Sequence, residues 1–346
     1  MKKTLLALAT LTAFAGVASA QSSVTLFGIV DLSLNGIKNG TQSQKLMSSD
    51  QLNSNRIGFR GVEDLGGGMR AGFWIEGGMS PDNGTATGQT WQRRSTVSLM
   101  GGFGEVRLGK DYLATFSNRA SFDPFGFNGI GHMGLTESVL GSGMDRVRAN
   151  NMVGYFLPAM GGVYGQVQVA AGEGAVPGNK FVGARFGYAG GPVNVGLAMG
   201  KTYREGAMAD DFTTANIGAS FDLKFMKISG DYNKFDYGTS SQKNLLLGVS
   251  VPFGASTLKA SINKASGSIR TQNAAATLVT DQGAKQFALG YQYDLSKRTA
   301  IYATLSSLDN DGTAATGARF TVGQGPAQTR GGDKSSGYNL GVRHIF

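Results

Sequence analysis

The chain has no cysteine, and only seven prolines and two histidines among its 346 residues. Without cysteine there is neither a disulfide framework nor a thiolate metal site. His132 and His344 are the only imidazoles. Neither stands beside a nucleophile motif such as G-x-S-x-G, and they lie too far apart to suggest metal-ligand spacing. No catalytic residue, cofactor or metal site is therefore expected. Beyond residue 20 no apolar run approaches the roughly 18 residues of a transmembrane helix candidate, so that part is either soluble or crosses a membrane in another form. Glycine is the opposite case. Its 54 residues exceed twice the usual share and, with so little proline, fit many long strands better than a disordered tract.

The first 20 residues read separately. MKK, the apolar run 4–17 and Ala18-Ser19-Ala20 form the charged, hydrophobic and small-residue regions of a signal peptide. The run is too short for a membrane span. Residues 1–20 are expected to be a cleaved export signal, and 21–346 the mature protein. Losing Lys2 and Lys3 lowers the net charge from +9 to +7. That excess suggests anionic partners. Nucleic acid is not expected, because the basic residues are scattered singly, without an aromatic-interleaved patch or a helix-turn-helix pattern.

Residues 21–346 alternate. Segments with a period of two occupy 23–36, 54–62, 69–77, 91–100, 105–110, 146–157, 163–171, 181–188, 193–201, 213–221, 224–235, 244–251, 256–263, 285–293, 299–308 and 336–346, sixteen in all. Short turns and long loops alternate between them, as in outer-membrane barrels, where the strand number is even. The fold expected is all-β, a 16-stranded antiparallel transmembrane barrel. A soluble β-sandwich would need only seven to nine strands. Tyr155, Phe221, Phe253, Tyr291, Tyr293 and Phe346 all fall beside short turns, where an interfacial aromatic girdle belongs.

One stretch breaks the rhythm. Residues 111–145 have no visible period, and an aperiodic run of about 35 residues in a compact protein is functional or disordered. It is expected to be the third long loop, folded into the lumen. Arg56, Arg60, Arg70, Arg94, Arg107 and Arg148 take the inward parity on strands near it, whereas Arg93 falls on the apolar parity unless a bulge rotates it. Such arginines are the expected device of an anion pore, or they tether the loop through Asp111, Asp123, Glu137 or Asp145. Asp31, Glu76 and Asp231 are also inward, but no spacing singles out a glycosidase pair, and pairing with lumen arginines is the simpler expectation. Gly126–Gly131 lacks the helix and Lys-Ser/Thr of a phosphate loop.

Several motifs then converge. Arg56-Ile57-Gly58-Phe59-Arg60-Gly61 with the turn 63–68, the run 93–99, Gly104-Glu105-Val106-Arg107-Leu108-Gly109, Leu295-Ser296-Lys297-Arg298-Thr299 and the ending Gly341-Val342-Arg343-His344-Ile345-Phe346 resemble the trimeric general porins of β-proteobacteria. The resemblance spans essentially all of 21–346. It implies a homotrimer in the outer membrane of a Gram-negative cell and passive diffusion of small hydrophilic or anionic solutes, with lipid and lipopolysaccharide as surroundings. It further implies Phe346 as an assembly signal, a basic constriction at Arg56, Arg93 and Arg148, and a loop tip at Asp123-Pro124-Phe125-Gly126. Arg93 and Arg94 are thus rival candidates for the lumen. A plugged adhesive barrel and a His132-centred barrel hydrolase are the alternatives from other functional classes.

Overall fold

The computed structural model describes residues 23–85, 91–138, 140, 145–172, 180–203, 210–272, 277–328 and 330–346; the export signal expected at 1–20 lies outside them. Eighteen strands form one sheet: β1 (Ser23–Asn39), β2 (Gln42–Ser49), β3 (Arg56–Gly66), β4 (Met69–Gly78), β5 (Arg94–Gly101), β6 (Gly104–Tyr112), β7 (Arg148–Phe156), β8 (Val163–Ala170), β9 (Lys180–Gly190), β10 (Val193–Tyr203), β11 (Phe212–Asp222), β12 (Lys227–Tyr237), β13 (Ser240–Phe253), β14 (Ser256–Gln272), β15 (Thr277–Asp281), β16 (Ala284–Asp294), β17 (Thr299–Asn310) and β18 (Ser335–Ile345). Neighbours are antiparallel. The sheet closes where β1 pairs with β18, from Ile29↔Ile345 to Asn39↔Ser335.

Sixteen of these are wall strands in the sense that matters for closure. β2 and β3 both pair with β1, one along its loop-side half and the other along its turn-side half, so they are one wall strand interrupted at 50–55. β15 and β16 share β14 in the same way. Eighteen segments less these two give the count that alternation predicts. The break at 50–55 is held by Asp31, whose carboxylate accepts the backbone N–H groups of Leu52 and Asn53 and the Tyr302 hydroxyl.

Polarity is inverted relative to a water-soluble barrel. Along β13, Gln242 and Asn244 are fully buried while Leu245 and Leu247 are 47% and 59% exposed. In β18 Asn339 and Arg343 face in, and Leu340 and Val342 face out. An apolar exterior of this extent suits lipid, and a polar interior suits water. The expected girdle follows: Phe221, Phe253, Tyr291, Tyr293 and Phe346 are exposed at the turn side, and the Tyr155 hydroxyl donates to the Phe103 carbonyl.

Two expectations about loops fail. Residues 37–53 and 264–284 read as polar connections, yet β1 continues to Asn39, β2 occupies much of the first, and β14 with β15 builds a hairpin in the second. Polar residues on both faces hide a strand that rises above the lipid, since neither face needs to be apolar there. Residues 111–145 are not structureless either. They contain a helix, α1 (Ala114–Phe122), and short 3-10 turns at Gly129–Gly131 and Met133–Thr136. The buried face of α1 is Ala114, Thr115, Asn118, Arg119 and Phe122, a helical spacing made largely of polar side chains. Hydrophobic periodicity cannot register such a face.

Candidate functional site

The segment after β6 rests on the buried, polar parity of the wall from β8 round to β16. Gln168 accepts from the Ala114 N–H at 2.7 Å and donates to the Tyr112 carbonyl at 2.9 Å. Asn118 donates to the Gly196 carbonyl and to Asn216. Asn244 and Gln242 reach Thr136, Asn263 reaches Met133, and Gln286 reaches Ile130. Wall glycines supply the room. A Cβ at Gly218 would collide with Phe122, at Gly248 with Pro124 and at Gly290 with Phe125. Part of the glycine excess is thereby explained by close approach rather than by turns.

Of the acids in 111–145, Asp111 pairs with Arg107 of the wall, and the other three are held by the loop and its return to β7. Asp123, 7% exposed, accepts the N–H groups of Phe125 (2.8 Å) and Met133 (3.0 Å), and Gly126 turns the tip with φ +60°. Burial pushes the Asp123 carboxyl up to about 6. Glu137 is buried against the guanidinium of Arg119, itself 1% exposed, and lies 3.2 Å from Arg146. Arg119 also lies over Phe127 and Phe235. Asp145 accepts the N–H groups of Val147 and Arg148. His132 accepts the Gly134 N–H through Nδ1, and burial lowers its pKa to about 4, which keeps the ring neutral.

Facing this loop, the basic wall divides in two. On the loop side Arg56 and Arg93 share Glu76, at 3.3 and 2.6 Å. Arg148 donates to the Arg93 carbonyl (2.6 Å) and, with Arg93, to the Tyr112 hydroxyl, and its guanidinium lies 4.3 Å from the Tyr112 ring centre. Two guanidiniums thus share one carboxylate and the third is held by neutral groups, around a cavity of 460 Å³ that Arg119, Arg146 and Glu137 also line and that Phe116 and Phe127 of the loop close. On the turn side Arg107 grips Glu105 with two bonds of 2.9 Å and also holds Asp111, which Arg94 approaches to 3.9 Å. Arg60 and Arg94 lie over Trp74, and a second cavity, of 450 Å³, opens there. Three guanidiniums here meet two carboxylates.

The family model for Gram-negative porins matches residues 7–313. The chain is 38% identical, over the whole of both sequences, to outer membrane porin protein 32 of Delftia acidovorans. It belongs to the Gram-negative porins. Among solved structures, the anion-selective porin from Comamonas acidovorans superposes with a TM-score of 0.82 at 34% identity, over 94% of this chain and all of the other. The trimer form of OmpT from Vibrio cholerae shares the fold, with a TM-score of 0.67 at 14% identity, over 94% and 99%. The porin therefore has its place in the outer membrane of a Gram-negative cell, and its family consists of channels rather than enzymes.

The rivalry between Arg93 and Arg94 dissolves in the porin. β5 begins at Arg94, so parity binds Arg94 and its outward neighbours but not Arg93, which precedes the strand and swings onto Glu76. Both are part of the wall, one in each cluster. Arg70 lies exposed near the turn-side rim. Pairing with lumen arginines holds for Glu76 but not for Asp31, which binds backbone and Tyr302, nor for Asp231, which binds Asn233. These three carboxylates have separate partners, and among the described residues no His/Cys/Asp/Glu cluster could hold a metal. Phe346 exchanges two backbone bonds of 3.0 Å with Gly28 and lays its ring over that glycine. Sequence reasoning missed Arg119, Arg146 and Tyr112. A buried arginine inside an unrecognised helix leaves no signal in strand parity.

Proposed function

We propose that the porin conducts small hydrophilic solutes by passive diffusion, with an anion preference set by Arg56, Arg93 and Arg148. The carrying observation is the charge of the loop-side cavity: five guanidiniums, those of Arg56, Arg93, Arg119, Arg146 and Arg148, line its 460 Å³, and their ion pairs among the described residues reach two carboxylates, Glu76 and Glu137. Low-dielectric walls focus the field of such a cluster across a narrow passage. Residues 111–145 act as the eyelet, with Asp123, Pro124, Phe125 and Gly126 as its tip and Glu137 and Asp145 holding its return. Arg60, Arg94 and Arg107, with Asp111, form a weaker second stage.

The working form is a homotrimer in lipid and lipopolysaccharide, delivered after removal of residues 1–20 and recognised for assembly through Phe346. The likeness to the anion-selective Comamonas porin supports the charge preference, and the Vibrio OmpT trimer is a precedent for the assembly. The test is a reversal potential across a KCl gradient in a planar bilayer. The wild type should prefer chloride, and the double variant Arg56→Ala/Arg148→Ala should lose most of that preference while still inserting. A cation preference in the wild type, or unaltered selectivity in the variant, would overturn the assignment.

A further inference from the structure

The turn-side cavity differs from the loop-side one in what its basic side chains rest on. Arg60 stands directly opposite Trp74 on β3 and β4, and its guanidinium lies 5.0 Å from the centre of that ring and 5.3 Å from the centre of Phe27. Arg94 lies 4.6 Å from the Trp74 ring centre. Phe27 and Trp74 pack together, with centres 4.9 Å apart and planes tilted by 60°. The indole is fixed in turn, because its Nε1–H donates to Glu76 at 3.1 Å.

Ion pairing does not account for this arrangement. Arg107 is taken up by Glu105 and Asp111, whereas Arg94 approaches Asp111 only to 3.9 Å and gives its Nε–H to Thr96. Arg60 is exposed, and among the described residues it has neither an ion pair nor a hydrogen bond. A guanidinium carries five N–H donors in one plane, and stacking on a ring leaves its edge and its second face open. A lysine would supply a passing ion with the same charge. What the rings add is a plane of fixed orientation on the wall of a 450 Å³ cavity.

We infer that Arg60, Arg94 and Trp74 form a binding site for a small aromatic carboxylate at the turn-side mouth of the channel. The carboxylate accepts from the free edge of Arg60, with Arg94 as a second donor. The aryl ring lies on the open face of a guanidinium that Trp74 supports from behind. Guanidinium faces attract π-systems, so an aryl acid gains a contact that an alkyl acid of equal charge and similar size lacks. The long loops of outer-membrane barrels face outside, so the site lies on the periplasmic side of the eyelet and receives a solute that has passed it. It coincides with the second stage of the proposed pathway and to that extent rests on it, but occupancy requires only these lumen-facing side chains and not conduction.

Trp74 is its own reporter, because the chain has only one other tryptophan, Trp91. The experiment titrates the purified full-length W91F protein in nanodiscs with benzoate at fixed ionic strength, reads tryptophan fluorescence, and then displaces the benzoate with cyclohexanecarboxylate. The benzoate signal should saturate, and displacement should need about tenfold more of the alkyl acid than of benzoate itself. W91F/R60Q should raise the half-saturating benzoate concentration about tenfold. A signal that does not saturate, displacement by the two acids at equal concentration, or an unchanged half-saturation in W91F/R60Q overturns the site. Should that variant fail to fold, as judged by heat-modifiable gel mobility, W91F/R60K decides: it keeps the charge without the plane, so the tenfold advantage of benzoate over the alkyl acid should vanish, and its persistence overturns the site. Fluorescence reads binding without current, so failure of this site and failure of the chloride preference show separately.

Discussion

The wall and the loop that faces it each set two guanidiniums on one carboxylate but bury them differently: the Arg119 and Glu137 side chains are 1% exposed, whereas Arg56 and Arg93 keep 21% and 13%. In residues 111–145 the acids are matched: Glu137 is buried between Arg119 and Arg146, Asp123 closes the tip through two N–H groups, and Asp145 caps the approach to β7. On the wall, Glu76 serves both Arg56 and Arg93, and Arg148 is held by a hydroxyl and a carbonyl. Buried charge holds the loop in shape. On the proposed reading the more open charge of the wall acts on what passes, so stability and selectivity should respond to different mutations.

The largest effect should come from unmatching the loop. Glu137→Gln removes the carboxylate that two guanidiniums share, one of them almost wholly buried. Breaking a buried pair in this way costs about 3–5 kcal/mol. The barrel should still assemble, because the sheet closes without the loop, but the loop should loosen. Single-channel conductance should rise, become noisy and keep its anion preference. A quiet channel of unchanged conductance would show that Glu137 does not anchor the loop.

Next in size is a test of the parity that separates wall from exterior. Leu340 faces out at 60% exposure, between Leu34 and Ala303 on the adjoining strands. Leu340→Arg should cost about 2–4 kcal/mol near the membrane midplane, seen as a lower urea midpoint in liposomes. The inward counterpart Asn339→Arg should cost less and add to anion preference.

Much of this was legible in the sequence, and the exceptions share a cause. Alternation located all sixteen wall strands because lipid outside and water inside impose opposite polarity on successive residues. It failed where one of those two media is missing. β2 and the β14–β15 hairpin contain stretches polar on both faces, and α1 packs against a polar wall, so its buried Asn118 and Arg119 looked like loop residues. Alternation left Arg93 and Arg94 as rivals because it was carried one residue before the start of β5. That Arg56, Arg60, Arg94, Arg107 and Arg148 set the passage stays part of the proposal. Their division into two clusters depends on which carboxylates reach which guanidiniums, and strand spacing does not encode that.

A subtler effect separates two groups within the loop. Asp123 has a folded pKa of about 6, raised from 3.8 by burial, so its contribution to stability is full below pH 3.8 and is lost as pH rises through 6. His132 is lowered from 6.5 to about 4 by burial, so its contribution is full above pH 6.5 and is lost as pH falls through 4. The windows overlap with opposite sign, each on the order of 3 kcal/mol at most. Protease accessibility of the loop should therefore change little between pH 6.5 and 4 in the wild type. Asp123→Asn should loosen the loop on acidification, and His132→Asn should loosen it as pH rises. Parallel pH profiles in the two variants would remove the compensation.

The smallest effect is expected where charge is kept and shape is changed. Arg148→Lys preserves the unmatched positive charge but loses the planar contact with Tyr112 and the bond to the Arg93 carbonyl. If the wall acts through its field, the reversal potential should stay within a few millivolts of the wild type, and thermal stability should fall by no more than about 1 kcal/mol. A loss of anion preference as large as that of Arg148→Ala would show instead that the guanidinium's geometry, holding Tyr112 and the strand ends in place, sets the passage, and that the wall resembles the loop after all.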